Sequence, residues 1–151
     1  MKVIFLDHQG VMRITKNPEP GILCDFDTEC VKVLNSILET DNDIQIVVSS
    51  DWKCWVNLED MRIFYAKQGI IKIPLDYTPT NKRQNKYEYT RSTEIKDWLS
   101  NNIVSHWVAI DDLDMKNYLS NFVWITDSNK GLKTNNIKEK ILLHLMDNFK
   151  E

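Results

Sequence analysis

The chain has 151 residues, of which 42% are hydrophobic and 27% charged, a balance that supports a packed core and excludes a disordered chain. Its formal charge of -3 excludes a protein that holds nucleic acid by bulk positive charge, though not a local basic patch. The cysteines Cys24, Cys30 and Cys54 are odd in number and include no Cys-x-x-Cys pair. Free thiols in a reducing compartment are therefore expected, rather than a disulfide framework or a zinc site.

The opening run, Val3 to Leu6, is continuously apolar and stops at Asp7-His8-Gln9-Gly10. It is far too short for a signal peptide or a membrane span, so a cytoplasmic protein is expected. Without alternation it reads as a strand buried on both faces. Cys30, Val33, Leu34, Ile37 and Leu38 follow with helical spacing, and Asp27 or Thr28 is placed to cap them. Ile44 to Val48 is a second buried strand, stopping at Ser49-Ser50-Asp51. Met61, Phe64, Tyr65 and Gln68 predict a second helix ending near Gly69, and Ile70 to Ile73 a weaker strand. Ile95, Trp98 and Leu99 mark a third helix. Trp107 to Ile110 and Phe122 to Ile125 are further apolar runs, ending at Asp111-Asp112 and Thr126-Asp127. Ile137, Ile141, Leu142, Leu145, Met146 and Phe149 form a C-terminal helical stripe.

Strands alternating with helices predict right-handed crossovers and one α/β domain spanning residues 1–151, with no repeat and no linker. The expected architecture is a three-layer sandwich around a central, mainly parallel sheet of about five strands. Met12 to Asp25 and Asp51 to Thr90 leave room for a flap and a modest insert but not for a separate cap domain. Ligands of such sheets bind at the carboxyl ends of the strands. Asp7, Ser49-Ser50 and Asp111-Asp112 all fall there.

These residue types suit phosphoryl transfer. Two carboxylates at neighbouring strand tips make an oxygen-rich site for Mg²⁺. A serine hydroxyl with backbone N–H groups holds a phosphate oxygen, and a cation balances the rest of its charge. An aspartate in line with phosphorus can form an aspartyl-phosphate.

The order of these segments resembles the haloacid dehalogenase (HAD) superfamily. Phe5-Leu6-Asp7-His8-Gln9-Gly10-Val11 resembles its first motif, Asp-x-Asp-Gly-Val. Ile46-Val47-Val48-Ser49-Ser50 resembles the second. Arg91, before Ser-Thr-Glu-Ile-Lys-Asp-Trp-Leu, stands where the family places a phosphate-binding Lys or Arg at the opening of a helix. Val108-Ala109-Ile110-Asp111-Asp112-Leu113-Asp114 resembles the acidic motif. Ser49-Ser50-Asp51-Trp52-Lys53, the Arg91 segment and Asp127 with Gly131-Leu132-Lys133-Thr134 are similar to the small HAD domains of "Swiss army knife" RNA-repair proteins. The resemblance implies Asp7 as nucleophile. It implies a Mg²⁺ ion among Asp7, the backbone carbonyl of Gln9, and Asp111 or Asp112. Ser49, or Ser50 in its place, would bind the phosphate with Arg91, and Asp114 would orient the acidic loop. The implied substrate is a nucleotide or a polynucleotide phosphate end.

One departure stands out. The family's second aspartate, which protonates the leaving group and activates water, is Gln9 here. An amide cannot exchange that proton. Three outcomes follow: a slow phosphatase, one that acts on substrates with good leaving groups, or a module that keeps only binding. His8 titrates near neutrality when exposed, but alternation points it away from Gln9. Trp98 fits a core stripe, while Trp52 and Trp55 are placed to cover the core or frame the crevice. Lys53, Lys82, Arg83 and Lys86 are expected to be solvated. The stretch Asn81 to Arg91 interleaves basic and aromatic residues, as a nucleotide-binding edge does, although an ordinary polar loop is the simpler expectation. His106 and His144 carry no assigned role.

Overall fold

The computed structural model describes residues 1–14, 24–83 and 86–147. Five strands form one parallel sheet in the order β3-β2-β1-β4-β5. They are β1 (Lys2–Leu6), β2 (Ile44–Val48), β3 (Asp76–Tyr77), β4 (His106–Asp111) and β5 (Phe122–Trp124). The helices are α1 (Thr28–Leu38), α2 (Leu58–Lys67), α3 (Tyr87–Ser100) and α4 (Ile137–Leu145). β1 lies at the centre, with Leu6 level with Val48 on one side and Ile110 on the other.

The central strands are apolar at most positions because both faces are covered, and side-chain parity sorts their apolar residues into two cores. Ile4, Leu6, Ile46, Val48, Val108 and Ile110 face a core shared with buried residues of α1, α2 and α4. Val3, Phe5, Val47 and Ala109 face a second core with Ile95 and Trp98 of α3 and with Met115 and Leu119. Helices therefore lie on both faces, as a three-layer sandwich requires. Among the described residues there is no second sheet that could form a cap. Nor is any helix of the described residues long and apolar enough to cross a membrane.

Local chemistry sets the helix ends. The Asp27 side chain accepts from the Cys30 amide and caps α1. Asn57 does the same for α2 through the Asp60 amide. Gly69, with φ of 81°, follows α2 in the left-handed conformation that stops a helix.

The structure corrects three expectations about element boundaries. Ile70 to Ile73 is not a strand; β3 lies further on, where the chain first meets β2 through the Leu75 amide and the Ile46 carbonyl (2.8 Å). The Lys72 ammonium reaches the Ile44 carbonyl at 2.6 Å, taking an acceptor that a longer strand would have used. Ile71 and Ile73 are consequently half exposed. Arg91 does not open its helix, because α3 begins at Tyr87; half of the Asn81–Arg91 stretch is helix rather than loop. α4 ends at Leu145, leaving Met146 exposed, and Phe149 lies outside the described residues.

Gly131 has φ of 56°, and a Cβ there would stand 2.2 Å from the Val11 carbonyl oxygen. That carbonyl accepts the Leu132 amide at 3.0 Å, so the loop after β5 is pinned to the loop after β1. Gly131→Ala combines a backbone clash with a strained φ. It is expected to cost about 2 kcal/mol or more, read as a lower midpoint in urea denaturation. An unchanged midpoint would refute the close packing of these two loops.

Candidate phosphoryl-transfer site

Parity also builds the site. Asp7 continues the Val3–Phe5 face of β1, and Asp111 continues the Ala109 face of β4, so both turn toward α3. Arg91 sits in the second turn of α3 and meets them. Its Nη1 is 3.3 Å from Asp7 Oδ1 and 2.9 Å from Asp111 Oδ2. Its Nη2 donates to Tyr87 Oη at 2.9 Å and lies 3.2 Å from Asp51 Oδ1. Asp7, Arg91 and Asp111 are all buried.

The second carboxylate of the acidic loop behaves differently. Asp111 uses both oxygens internally, Oδ2 toward Arg91 and Oδ1 accepting the Leu113 amide at 2.9 Å. Asp112 lines the open cleft and presses against Gly10, where a Cβ would come 2.3 Å from its Oδ2. Gly10 has φ of 80° and closes a tight loop in which the His8 carbonyl accepts the amides of Val11, Met12 and Arg13. A glycine there lets the Asp112 carboxylate approach the Gln9–Gly10 backbone. Oxygens of Asp7, Asp111 and Asp112 all lie within 4.8 Å of one another.

Crowding three carboxylates around one guanidinium has an electrostatic consequence. Burial holds the Asp7 carboxyl well above its ordinary value; the Asp111 charge adds to this, and Arg91 opposes it. Asp112 is pushed up to about 6, first by burial and then by Asp111. One arginine does not balance the cluster, so the cleft is short of positive charge.

The cleft measures about 340 Å³. Asp7, Gln9, Ser50, Arg91 and Asp112 line its floor, with Asp51, Trp52, Trp55, Tyr87 and Leu113 around them. Ser49 is buried on the β2 tip, with its amide on the Leu6 carbonyl. The serine that reaches the cleft is Ser50, whose Oγ accepts the Trp52 amide at 3.2 Å and caps a short 3-10 turn, Asp51–Cys54. Asp114, further along the acidic loop from Asp111 and Asp112, accepts the Lys116 amide at 3.1 Å.

His8 takes the opposite parity from Asp7. Its ring packs among Phe26, Trp52 and Tyr65, and its Nε2 is 2.6 Å from Tyr65 Oη. Burial lowers its pKa to about 3, so the imidazole stays neutral and carries no proton for the cleft.

Lys53 is not solvated, contrary to expectation. Its ammonium is 2.9 Å from Glu94 Oε1 and 2.8 Å from Thr78 Oγ1. Glu94 Oε2 accepts the Asn81 amide at 2.8 Å. This buried clamp ties the Asp51–Cys54 turn to α3, one turn beyond Arg91. Glu94→Ala leaves a buried ammonium without its carboxylate, at an expected cost of about 3–5 kcal/mol. Thermal denaturation of Glu94→Ala beside the double variant Lys53→Met/Glu94→Leu checks this, since the double variant should lose less. A double variant as unstable as the single one would contradict it.

Sequence reasoning gave no role to Asp51 or Tyr87, both of which hold Arg91. Their only signal was position: Asp51 follows the serine tip, and Tyr87 precedes Arg91 by one helical turn.

A parallel sheet with a buried aspartate, an acidic loop and an arginine meeting at its carboxyl edge defines a HAD-like phosphoryl-transfer module. Residues 3–137 match the family described as the HAD domain in Swiss Army Knife RNA repair proteins, and the chain belongs to that family. No curated protein and no solved structure matches the chain significantly.

Proposed function

We propose that this protein is a Mg²⁺-dependent phosphomonoesterase that acts through an aspartyl-phosphate on Asp7, in the cytoplasm, on a nucleotide or a polynucleotide phosphate end. The observation that carries this reading is the meeting of Asp7, Asp111 and Asp112 oxygens within 4.8 Å, with Arg91 bridging Asp7 and Asp111.

The donor set fits Mg²⁺: all are hard oxygens, and their mutual repulsion leaves a charge deficit that a divalent cation would fill. Asp7, Asp112 and the Gln9 carbonyl would hold it; the internal bonds of Asp111 favour Asp112 as the second carboxylate. When bound, Mg²⁺ supplies positive charge to the phosphoryl oxygens. Arg91 holds Asp7 in place and presents its guanidinium to the phosphate. Ser50 and the amides beside it offer donors to a phosphoryl oxygen. Attack by an Asp7 oxygen forms a P–O bond as the ester P–O bond breaks. The alcohol leaves as its anion and takes a proton from water, since Gln9 has none to give. Water then displaces Asp7 from phosphorus, releasing phosphate and restoring the carboxylate.

The open cleft with Trp55 and Tyr87 in its wall supports a substrate larger than a small metabolite. The free cysteines support a reducing compartment. The experiment is release of phosphate from an aryl phosphate with and without Mg²⁺. Folded protein that releases none from any ester would overturn the reading. Gln9 in the cleft favours a second reading, a module that binds a phosphorylated ligand or partner without turnover.

A further inference from the structure

Arg91 holds four partners, and one of them differs from the rest. Asp7 and Asp111 are buried and Tyr87 is half-buried, whereas the Asp51 side chain is 51% exposed. Its Oδ1 lies 3.2 Å from Arg91 Nη2 and its Oδ2 3.8 Å from Arg83 Nη2. The two guanidinium groups also share the Tyr87 ring, at 4.6 Å and 4.9 Å from its centroid. From the buried end outward the order is thus Asp7, Arg91, Asp51, Arg83. A single carboxylate bridges two arginines just beyond the nucleophile.

The outer half of that bridge is easily opened. Arg83 is 71% exposed, and exposed ion pairs contribute about 0–1 kcal/mol. A phosphate carries more charge than the carboxylate and matches the guanidinium fork. Arg91 also has no donor on Nη2 to offer while Asp51 and Tyr87 hold it.

We propose that Arg83 and Arg91 form a second anion subsite, which takes a further phosphate carried by the leaving alcohol, and that Asp51 occupies it until substrate enters. The inference rests on Asp7 being the reacting end. Its ligand is a phosphomonoester with a second phosphate nearby, either a small bisphosphate or the next phosphate of a polynucleotide chain. Entry of that phosphate turns the Asp51 carboxylate out to solvent.

The test is equilibrium binding followed by tryptophan fluorescence, because Trp52 and Trp55 line the cleft. It uses the full chain with Mg²⁺ in an Asp7→Asn background that prevents turnover. The probes are a nucleoside 3′,5′-bisphosphate, the matching 5′-monophosphate and a short oligonucleotide with a terminal 5′-phosphate. The bisphosphate is expected to bind about 10-fold tighter than the monophosphate, as one charge-assisted contact at a partly exposed site provides. Arg83→Ala should remove that advantage and leave monophosphate binding unchanged, and Asp51→Asn should tighten the bisphosphate. An oligonucleotide that loses affinity with Arg83→Ala assigns the subsite to a chain; one that does not assigns it to a small bisphosphate. Equal binding of mono- and bisphosphate, or equal loss of both in Arg83→Ala, overturns the subsite. Bisphosphate preference in a protein that hydrolyses nothing would overturn the phosphatase reading alone.

Discussion

Asp7→Asn is expected to abolish phosphate release and, in the absence of divalent metal, to make the protein more stable. The first effect is on the order of 10⁴-fold or more, the scale at which deletion of a nucleophile acts. The second follows from the balance around the carboxylate. Burial and the Asp111 charge raise the Asp7 pKa, and Arg91 only partly offsets them. A group whose folded pKa lies above its unfolded one stabilises the fold below the unfolded value. That contribution disappears as pH rises through the folded pKa. At pH 7 the wild-type fold therefore bears the cost of burying a carboxyl whose charged form the cleft disfavours, and asparagine removes it. The gain in EDTA should reach at least about 2–4 °C in Tm, the response to 1 kcal/mol in a chain of this size. It should shrink toward zero as pH falls to the ordinary carboxylate range, where wild-type Asp7 is protonated as well. Added Mg²⁺ should then stabilise the wild type, by about 2.7 kcal/mol at one hundred times its Kd, and the variant less. A variant less stable than wild type in EDTA at pH 7 would mean that the Arg91 attraction outweighs burial and repulsion, and the electrostatic account of the cleft would fail.

Gln9→Asp is expected to restore the proton donor that the family places two residues after its nucleophile. General acid–base catalysis contributes about 10²–10⁴-fold. The gain in kcat/KM, which reports the step that expels the alcohol, should fall on esters of poor leaving groups, such as nucleoside monophosphates, and should nearly vanish for aryl phosphates, whose phenolate leaves without help. Comparing kcat/KM for the two substrate types in wild type and variant separates the readings. A large gain confined to the poor leaving groups identifies a site complete except for its acid. No gain on either, in a variant that still binds Mg²⁺, favours the binding module. The neighbouring His8 cannot supply the proton, because its ring is buried on the other face of β1 and stays neutral.

Substantial parts of this protein were legible in its sequence. The four strong apolar runs became β1, β2, β4 and β5, and the helical stripes became α1 to α4. Such runs are self-reporting, since a strand covered on both faces has few polar positions to spare. Alternation carried the same logic past the end of β1, turning His8 away from the cleft that Gln9 lines. Four motifs in order were enough to place the chain in its family.

Tertiary structure decided what composition and spacing do not encode. The edge strand β3 pairs over only two residues, too few to leave a pattern, and the apolar run at Ile70 to Ile73 lost its acceptor to the Lys72 side chain. Lys53 looked like any surface lysine until folding brought it to Glu94, 41 residues away. The division of labour between Asp111 and Asp112, and the choice of Ser50 over Ser49 for the cleft wall, depend on where loops turn after the strands end. There the two-residue period stops and hydrogen bonds to distant backbone take over. The sequence determined which residues could serve a phosphoryl-transfer site. The fold decided which of them share a cleft, because charge, burial and reach are properties of neighbours rather than of residues.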